Sequence, residues 1–209
     1  MNGLRDELAD AGAILEGEFF FALKKEGNVS HKYVNMDPVF TKPQLVSAIG
    51  SDLANPWGAR VEALVAPAIG GIPLLYATSE WTNSHVEVAW ADKQKDGSFA
   101  FERMGFTKAI KGKKVVLLED IVSTGSSAHA VVQLVQEAGG KIIGASFVWN
   151  RGNVTAQEIG VPVLHSLIEE SVEVHKAGEH PKWGEWPLVM DVGHPEYFPD
   201  YPGPKIKIL

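Results

Sequence analysis

The sequence predicts an α/β fold built on a parallel sheet, with a small N-terminal segment and an irregular C-terminal extension. Three observations predict it. The run from Val115 to Leu118 is apolar without alternation, as in a strand buried on both faces of a parallel sheet. Similar runs alternate along the chain with stretches whose apolar residues recur at helical spacing. Two of the runs end in short loops of small residues that lead straight into a helix, the arrangement by which open α/β sheets bind anions at their carboxyl edge.

Taken in order, Leu4, Leu8, Ala11 and Leu15 stand near helical spacing and predict a first amphipathic helix over residues 4–15. Phe19, Phe20 and Phe21 predict an extended buried segment. Gly27-Asn28 and the alternation up to Val34 read as a surface hairpin strand. A second reading of that strand makes Ser30, Lys32 and Tyr33 the lip of a substrate pocket, and local sequence favours the surface strand. Thr41 is the expected N-cap of a helix with Pro43 in its first turn and Leu45, Ile49 and Leu53 as its buried stripe. Asn55 to Gly58 ends it.

Val61 to Ala66 reads as a strand, and the loop from Pro67 to Pro73, with Gly70 and Gly71, leads into a helix through Leu74, Leu75 and Ala77. Paired glycines after a strand let backbone N–H groups approach an anion closely; alone they would signify only a tight turn. His85 to Ala91 is a further strand. Asp92 to Lys108 is polar and mixed in charge, which fits either a solvated hairpin or a mobile lid carrying Lys93, Lys95 and Arg103. A helix over residues 128–138, a strand over 141–149, a short helix over 156–159 and a strand over 161–168 follow. Beyond His175 the chain is rich in proline, glycine and tryptophan without periodicity, as in a wrapping extension or tail. His175, His180 and His194 could bind a metal, but their wide spacing favours scattered surface histidines. The chain thus divides into a segment 1–40, a core 41–170 and an extension 171–209.

With 209 residues the chain suits one α/β domain with a small appendage. The formal charge of −7 argues against a broad nucleic-acid footprint, so an anionic substrate would need local cations and backbone amides. The absence of cysteine removes disulfides and thiolate metal sites and fits a reducing cytoplasm. The first residues are acidic and amphipathic, and no apolar run reaches the length of a membrane span. The sequence therefore predicts neither a signal peptide nor a membrane segment.

The chemistry concentrates between Val115 and Ser127. Glu119 and Asp120 follow an apolar strand, where carboxylates are costly unless they meet a cation, a sugar hydroxyl or water. Ser123-Thr124-Gly125-Ser126-Ser127 then leads into a helix, so loop N–H groups and hydroxyls can converge on one anion. No Gly-Lys-Ser/Thr ending is present, so this is not a P-loop. A second anion loop at Gly70-Gly71 suits a substrate with two separated phosphate groups.

The whole string from Val115 to Ser127 resembles the 5-phosphoribosyl-1-pyrophosphate (PRPP) signature of type I phosphoribosyltransferases, whose core is a Rossmann-like parallel sheet. Across residues 1–170 the chain is most similar to orotate phosphoribosyltransferases. Pro67 to Ile72 resembles the pyrophosphate loop of one branch of that family, Ala91 to Phe106 its mobile loop, Ser30 to Tyr33 its Ser-x-Lys-Tyr hood segment, and Asn150-Arg151 its Asp-Arg orotate clamp. Val29 and Asn150 depart from the family pattern, and the mobile loop has fewer arginines.

The resemblance implies that Ser123, Thr124, Gly125, Ser126 and Ser127 bind the 5-phosphate, and that Glu119 and Asp120 hold the ribose hydroxyls with Mg2+. It implies that Ala68, Ile69, Gly70 and Gly71 donate amides to the pyrophosphate. Lys93, Lys95 and Arg103 would close over it from the neighbouring subunit of a homodimer. Arg151, with Ser123 and Tyr33, would hold orotate. Two alternatives stay open at this level: a phosphoribosyltransferase for a purine or uracil, and a non-catalytic PRPP-sensing regulator. A regulator that binds nucleic acid predicts a basic face, against which the acidic charge counts.

Overall fold

The computed structural model describes residues 3–23 and 27–209. Its helices are α1 (Leu4–Asp10), α2 (Asp37–Phe40), α3 (Pro43–Ala54), α4 (Gly71–Ser79), α5 (Phe106–Ile110), α6 (Ser126–Glu137) and α7 (Ala156–Ile159). The strands are β1 (Ile14–Ala22), β2 (Asn28–Val34), β3 (Ala63–Pro67), β4 (Glu87–Lys93), β5 (Phe99–Ala100), β6 (Lys114–Val122), β7 (Lys141–Asn150), β8 (Leu164–Glu169), β9 (His175–Lys176), β10 (Leu188–Val189) and β11 (Lys205–Ile206). The chain divides into two compact units, one of residues 1–5 and 36–171, the other of residues 6–35 and 172–209.

The first unit is a six-stranded sheet in the order β5-β4-β3-β6-β7-β8. Its five long strands pair in parallel, and β5 closes one edge as an antiparallel hairpin partner of β4. The alternation of side chains along β3 and β6 sorts them to two faces. Ala63, Val65, Val115 and Leu117 pack with Val131, Val132 and Val135 of α6, whereas Leu64, Ala66, Val116 and Leu118 pack with Leu75 of α4 and Trp57. Each fully buried valine or leucine contributes roughly 1.5–3 kcal/mol, which is why a strand apolar on every residue is stable only between two helical layers. The Trp57 indole N–H donates to the Ser146 hydroxyl at 2.7 Å, and that hydroxyl donates to the Leu53 carbonyl at 3.2 Å, which fixes the end of α3 on β7.

The second unit is a five-stranded sheet in the order β11-β10-β1-β2-β9. β1 and β2 form an antiparallel pair with Ile14 opposite Val34, and the chain's C-terminal segment adds β9 beside β2, β10 beside β1 and β11 beside β10. Phe20, Val29, Leu188, Phe198 and Tyr201 bury one face with Trp183 and Trp186, and Phe21, Val189 and Val192 bury the other. The Tyr201 hydroxyl donates to the Trp186 carbonyl and accepts from the Gly184 N–H at 3.3 Å, so a buried phenol is satisfied on both counts.

Four local expectations change. The first helix stops at Asp10 because Gly12 takes a left-handed φ of 85°, and Leu15 lies in β1. Thr41 closes α2 and donates its hydroxyl to the Pro38 carbonyl, so Lys42 occupies the N-cap position of α3 without a side-chain cap. The buried stripe of α3 runs through Val46, Ile49, Leu53 and Ala54, with Leu45 only half-buried. Strand β2 is no surface hairpin: Val29, Ser30, Lys32 and Val34 are all buried.

Candidate active site

The strand order places a topological switch between β3 and β6. From β3 the chain moves outward to β4, and from β6 it moves the other way to β7 and β8, so the loops that follow β3 and β6 diverge from neighbouring strands at one sheet edge. Open α/β sheets bind ligands in the crevice that such a divergence leaves.

The loop after β6 is residues 123–125, with Ser123 and Thr124 exposed and Gly125 buried at the start of α6. Gly125 has a φ of 72°, and a Cβ there would press on Val154 and Ile159 at 2.9 Å, so only glycine fits. The Thr124 and Ser126 hydroxyls lie 3.0 Å apart, and the Ser126 N–H approaches the Thr124 hydroxyl at 3.4 Å. Ser127 is half-buried in the first turn. The N-terminus of a twelve-residue helix thus opens beneath hydroxyls and loop amides, a geometry that favours an anion.

The loop after β3 begins with the Ala68 N–H bonded to the Ala91 carbonyl at 2.9 Å. The Ala68–Ile69 peptide is cis, and Ile69 is 81% exposed. Gly71, the first residue of α4, lies on the Ala66 methyl, and Gly70 lies on the Asp120 carboxylate; a Cβ at either position would collide. The glycine loop of one strand therefore meets the acidic pair of the next.

Glu119 and Asp120 lie within β6 rather than beyond its end, since the ladder with β7 continues to Val122 and Asn150. Glu119 is buried. Burial holds the Asp120 carboxyl above its ordinary range; the Ile121 N–H at 2.8 Å opposes this, the negative charge of Asp37 adds to it, and Arg151 counters it. Asp37, in the first turn of α2, is a member of this electrostatic group that sequence patterning missed. Its one local sign is its place before Pro38, which also marks any ordinary helix start.

Arg151 follows β7, and its backbone N–H donates to the Val122 carbonyl at 3.0 Å. Gly152 lies so close on the Ser123 carbonyl that no side chain fits between. Asn150 is buried, with its amide N–H donating to the Val154 carbonyl at 2.8 Å and its amide oxygen accepting from the Val154 N–H at 2.9 Å. The departure from aspartate thus has a structural cause, because a carboxylate could satisfy only one of these two groups.

Lys93 and Lys95 are exposed on the β4–β5 hairpin, and Arg103 follows it with a two-pronged ion pair to Asp92, both N–O distances being 3.3 Å. Tyr33 belongs to the second unit, where its ring packs on Phe21 at 5.3 Å. Ser30 there accepts from the Lys32 N–H at 3.1 Å. Among the described residues no helix is long and apolar enough to cross a membrane.

Residues 48–177 match the family model of the phosphoribosyl transferase domain. The chain is 33% identical over 163 residues to the orotate phosphoribosyltransferase of Caulobacter vibrioides, covering 76% of this chain and 79% of that one. It is 30% identical over 177 residues to that of Caldicellulosiruptor saccharolyticus, covering 84% and 87%. Among solved structures, orotate phosphoribosyltransferase from Aeropyrum pernix superposes with a TM-score of 0.62 at 22% identity, over 79% of this chain and 93% of that one. An adenine phosphoribosyltransferase from Thermoanaerobacter pseudethanolicus shares the fold with a TM-score of 0.53 at 19% identity, over 66% and 88%. The architecture is thus common to enzymes of different bases, and the sequence relatives divide them: the chain belongs to the phosphoribosyltransferases, in the orotate phosphoribosyltransferase family.

Proposed function

We propose that this protein transfers the 5-phosphoribosyl group of PRPP to orotate, giving orotidine 5-phosphate and pyrophosphate. One observation carries the reading: Gly70 of one candidate anion loop abuts Asp120 of the strand that feeds the other, at the switch point of the sheet. Two phosphate-binding elements flanking carboxylates match a sugar with a phosphate at one end and a pyrophosphate at the other.

In this reading Ser123 to Ser127 hold the 5-phosphate, and the amides of Ala68 to Gly71 receive the pyrophosphate. As the bond from ribose C1 to pyrophosphate lengthens, the ring gains positive charge and the leaving group negative charge. Glu119 and Asp120 stabilise the first, and preorganised amides together with Lys93, Lys95 and Arg103 stabilise the second. Such groups cost no reorganisation during reaction and contribute about 2.7–4 kcal/mol per donor in a well-studied enzyme. Arg151 pairs its planar guanidinium with the orotate carboxylate beside Ser123. Orotate N1 attacks C1 from the face opposite the leaving group as the C1–pyrophosphate bond breaks, and the N1 proton passes to the departing pyrophosphate or to solvent, so no side-chain nucleophile is needed.

The donor set at Glu119 and Asp120 is purely carboxylate oxygen, and burial of Asp120 raises its affinity for positive charge, so the site fits a hard divalent ion. Bound there with PRPP, Mg2+ would neutralise charge on the phosphates. Release of the exposed Arg103 from Asp92 would free it to reach the pyrophosphate, here from the partner subunit of a homodimer. The acidic, cysteine-free chain suits a cytoplasmic enzyme.

Loss of orotate absorbance on mixing the protein with PRPP, Mg2+ and orotate tests the proposal, with uracil and the purines assayed in parallel. Turnover with orotate alone, abolished by chelation, is expected. Turnover with another base instead would discard the Arg151 assignment, and PRPP binding without turnover of any base would point to a regulator.

A further inference from the structure

In the second unit, β2 and β9 bring together residues from opposite ends of the chain. Val29 lies opposite His175 in this antiparallel pair, and directly opposed residues point to the same face. His31 lies two residues beyond Val29 on the same face of β2, and Glu173 lies two residues before His175 in the segment that leads into β9. One imidazole nitrogen from each histidine and a carboxylate oxygen of Glu173 all lie within 4.8 Å of one another. The Glu173 oxygen is already 3.3 Å from His175 Nε2. Ligand bonds of about 2.1 Å in a tetrahedral site set neighbouring donors about 3.4 Å apart, so with all donors within 4.8 Å no pair need close by more than about 1.4 Å.

His175 Nε2 is buried and, apart from the Glu173 oxygen whose approach lacks hydrogen-bond geometry, has no hydrogen-bond partner among the described residues. The ring is held from the other side by His180, edge-on at 4.6 Å, and His180 is in turn lodged against Phe20 at 5.0 Å and Trp186 at 5.2 Å. Packing thus holds the His175 ring before any ligand arrives, as a metal site requires.

We propose that His31, Glu173 and His175 form a site for a first-row transition-metal ion of the Zn2+ class. Two imidazoles and a carboxylate suit such an ion and do not suit magnesium, which prefers oxygen ligands and octahedral geometry. Three protein ligands leave one position for water or a small anion. The ion ties β2 to the C-terminal segment, a cross-link in a sheet whose β9 is only two residues long. The residues are separate from those assigned to phosphoribosyl transfer, so the two readings stand or fall independently.

The test is calorimetric titration of chelator-treated, full-length protein with ZnCl2, repeated with Co2+ to follow the visible bands of a tetrahedral site. One equivalent should bind, resist competition by excess Mg2+ and raise the melting temperature. Glu173→Gln, whose parent side chain is two-thirds exposed and so is not needed for folding, should weaken binding by roughly tenfold or more, as should His31→Gln. His194→Ala should leave it unchanged, because His194 pairs separately with Glu196 at 2.9 Å. Absence of saturable Zn2+ binding, or wild-type affinity in Glu173→Gln and His31→Gln, would overturn the proposal. Loss of binding in His194→Ala would place the ion elsewhere and overturn it equally.

Discussion

The two units bury apolar surface with different materials. The first uses long parallel strands and aliphatic side chains, alternating face by face between two helical layers. The second holds together β9, β10 and β11, each two residues long, by ring packing among Phe20, Trp183, Trp186 and Tyr201. Regular repetition builds a rigid edge on which loops can be placed with precision, while rings from distant parts of the chain can fasten segments that have almost no ladder of their own. The contrast predicts that stability of the second unit hangs on single aromatic residues, and that changes at the switch point of the first act mainly on activity.

Phe20→Ala probes that contrast hardest. Phe20 is fully buried and meets His180, Trp183 and Trp186, so its loss should cost about 3–5 kcal/mol. Hydrogen exchange should then speed in β1 and β2 while β6 and β7 keep their protection. Equal acceleration in both sheets would break the comparison.

Asp120→Asn should lower turnover by roughly 10²–10³-fold and, in metal-free buffer, raise thermal stability. The sign follows from the raised carboxyl: the folded state holds the Asp120 proton more tightly than the unfolded state. Its cost to folding is absent below about pH 4, grows as pH rises, and is complete once folded Asp120 has ionised. The melting temperature of Asp120→Asn relative to wild type should therefore rise with pH across that window. A difference independent of pH would show that burial does not govern this carboxyl.

Arg151→Ala should raise the KM for orotate by roughly 10–100-fold, the value of one charged hydrogen-bonded contact, with PRPP affinity unchanged by calorimetry. An unchanged KM would remove the clamp from the reading. Asn150→Asp sharpens the same loop at smaller cost. It sets a carboxylate against the Val154 carbonyl and should lose about 1–3 kcal/mol in chemical denaturation, an effect that shrinks when the new carboxyl is protonated.

The same contrast decides what the sequence reveals. The nine residues of β6, the twelve of α6 and the ten of β7 are long enough to display their periodicity, and the strings at Gly70-Gly71 and Ser123 to Ser127 announce their loops through residue types that tight backbone demands. Gly12 ends α1 early because one left-handed residue outweighs an amphipathic spacing that continues to Leu15. Lys32 owes its burial to long-range packing around β2, where it faces Glu16 of β1, and the meeting of His31 with His175 depends on pairing between β2 and β9, a two-residue strand that carries no pattern to reveal its partner. Asp37 was hidden for a related reason, since its significance lies in a neighbour, Asp120, distant along the chain.

Gly152, pressed on the Ser123 carbonyl, and the Arg151 N–H, bonded to the Val122 carbonyl, make the loops after β6 and β7 one mechanical body. Ordering either loop removes configurational freedom from both, so a ligand that settles on one lowers the entropic toll for a ligand on the other. Such coupling is reciprocal. PRPP should tighten orotate binding by the same factor by which orotate tightens PRPP, and an enlarged residue at position 152 should abolish both enhancements together.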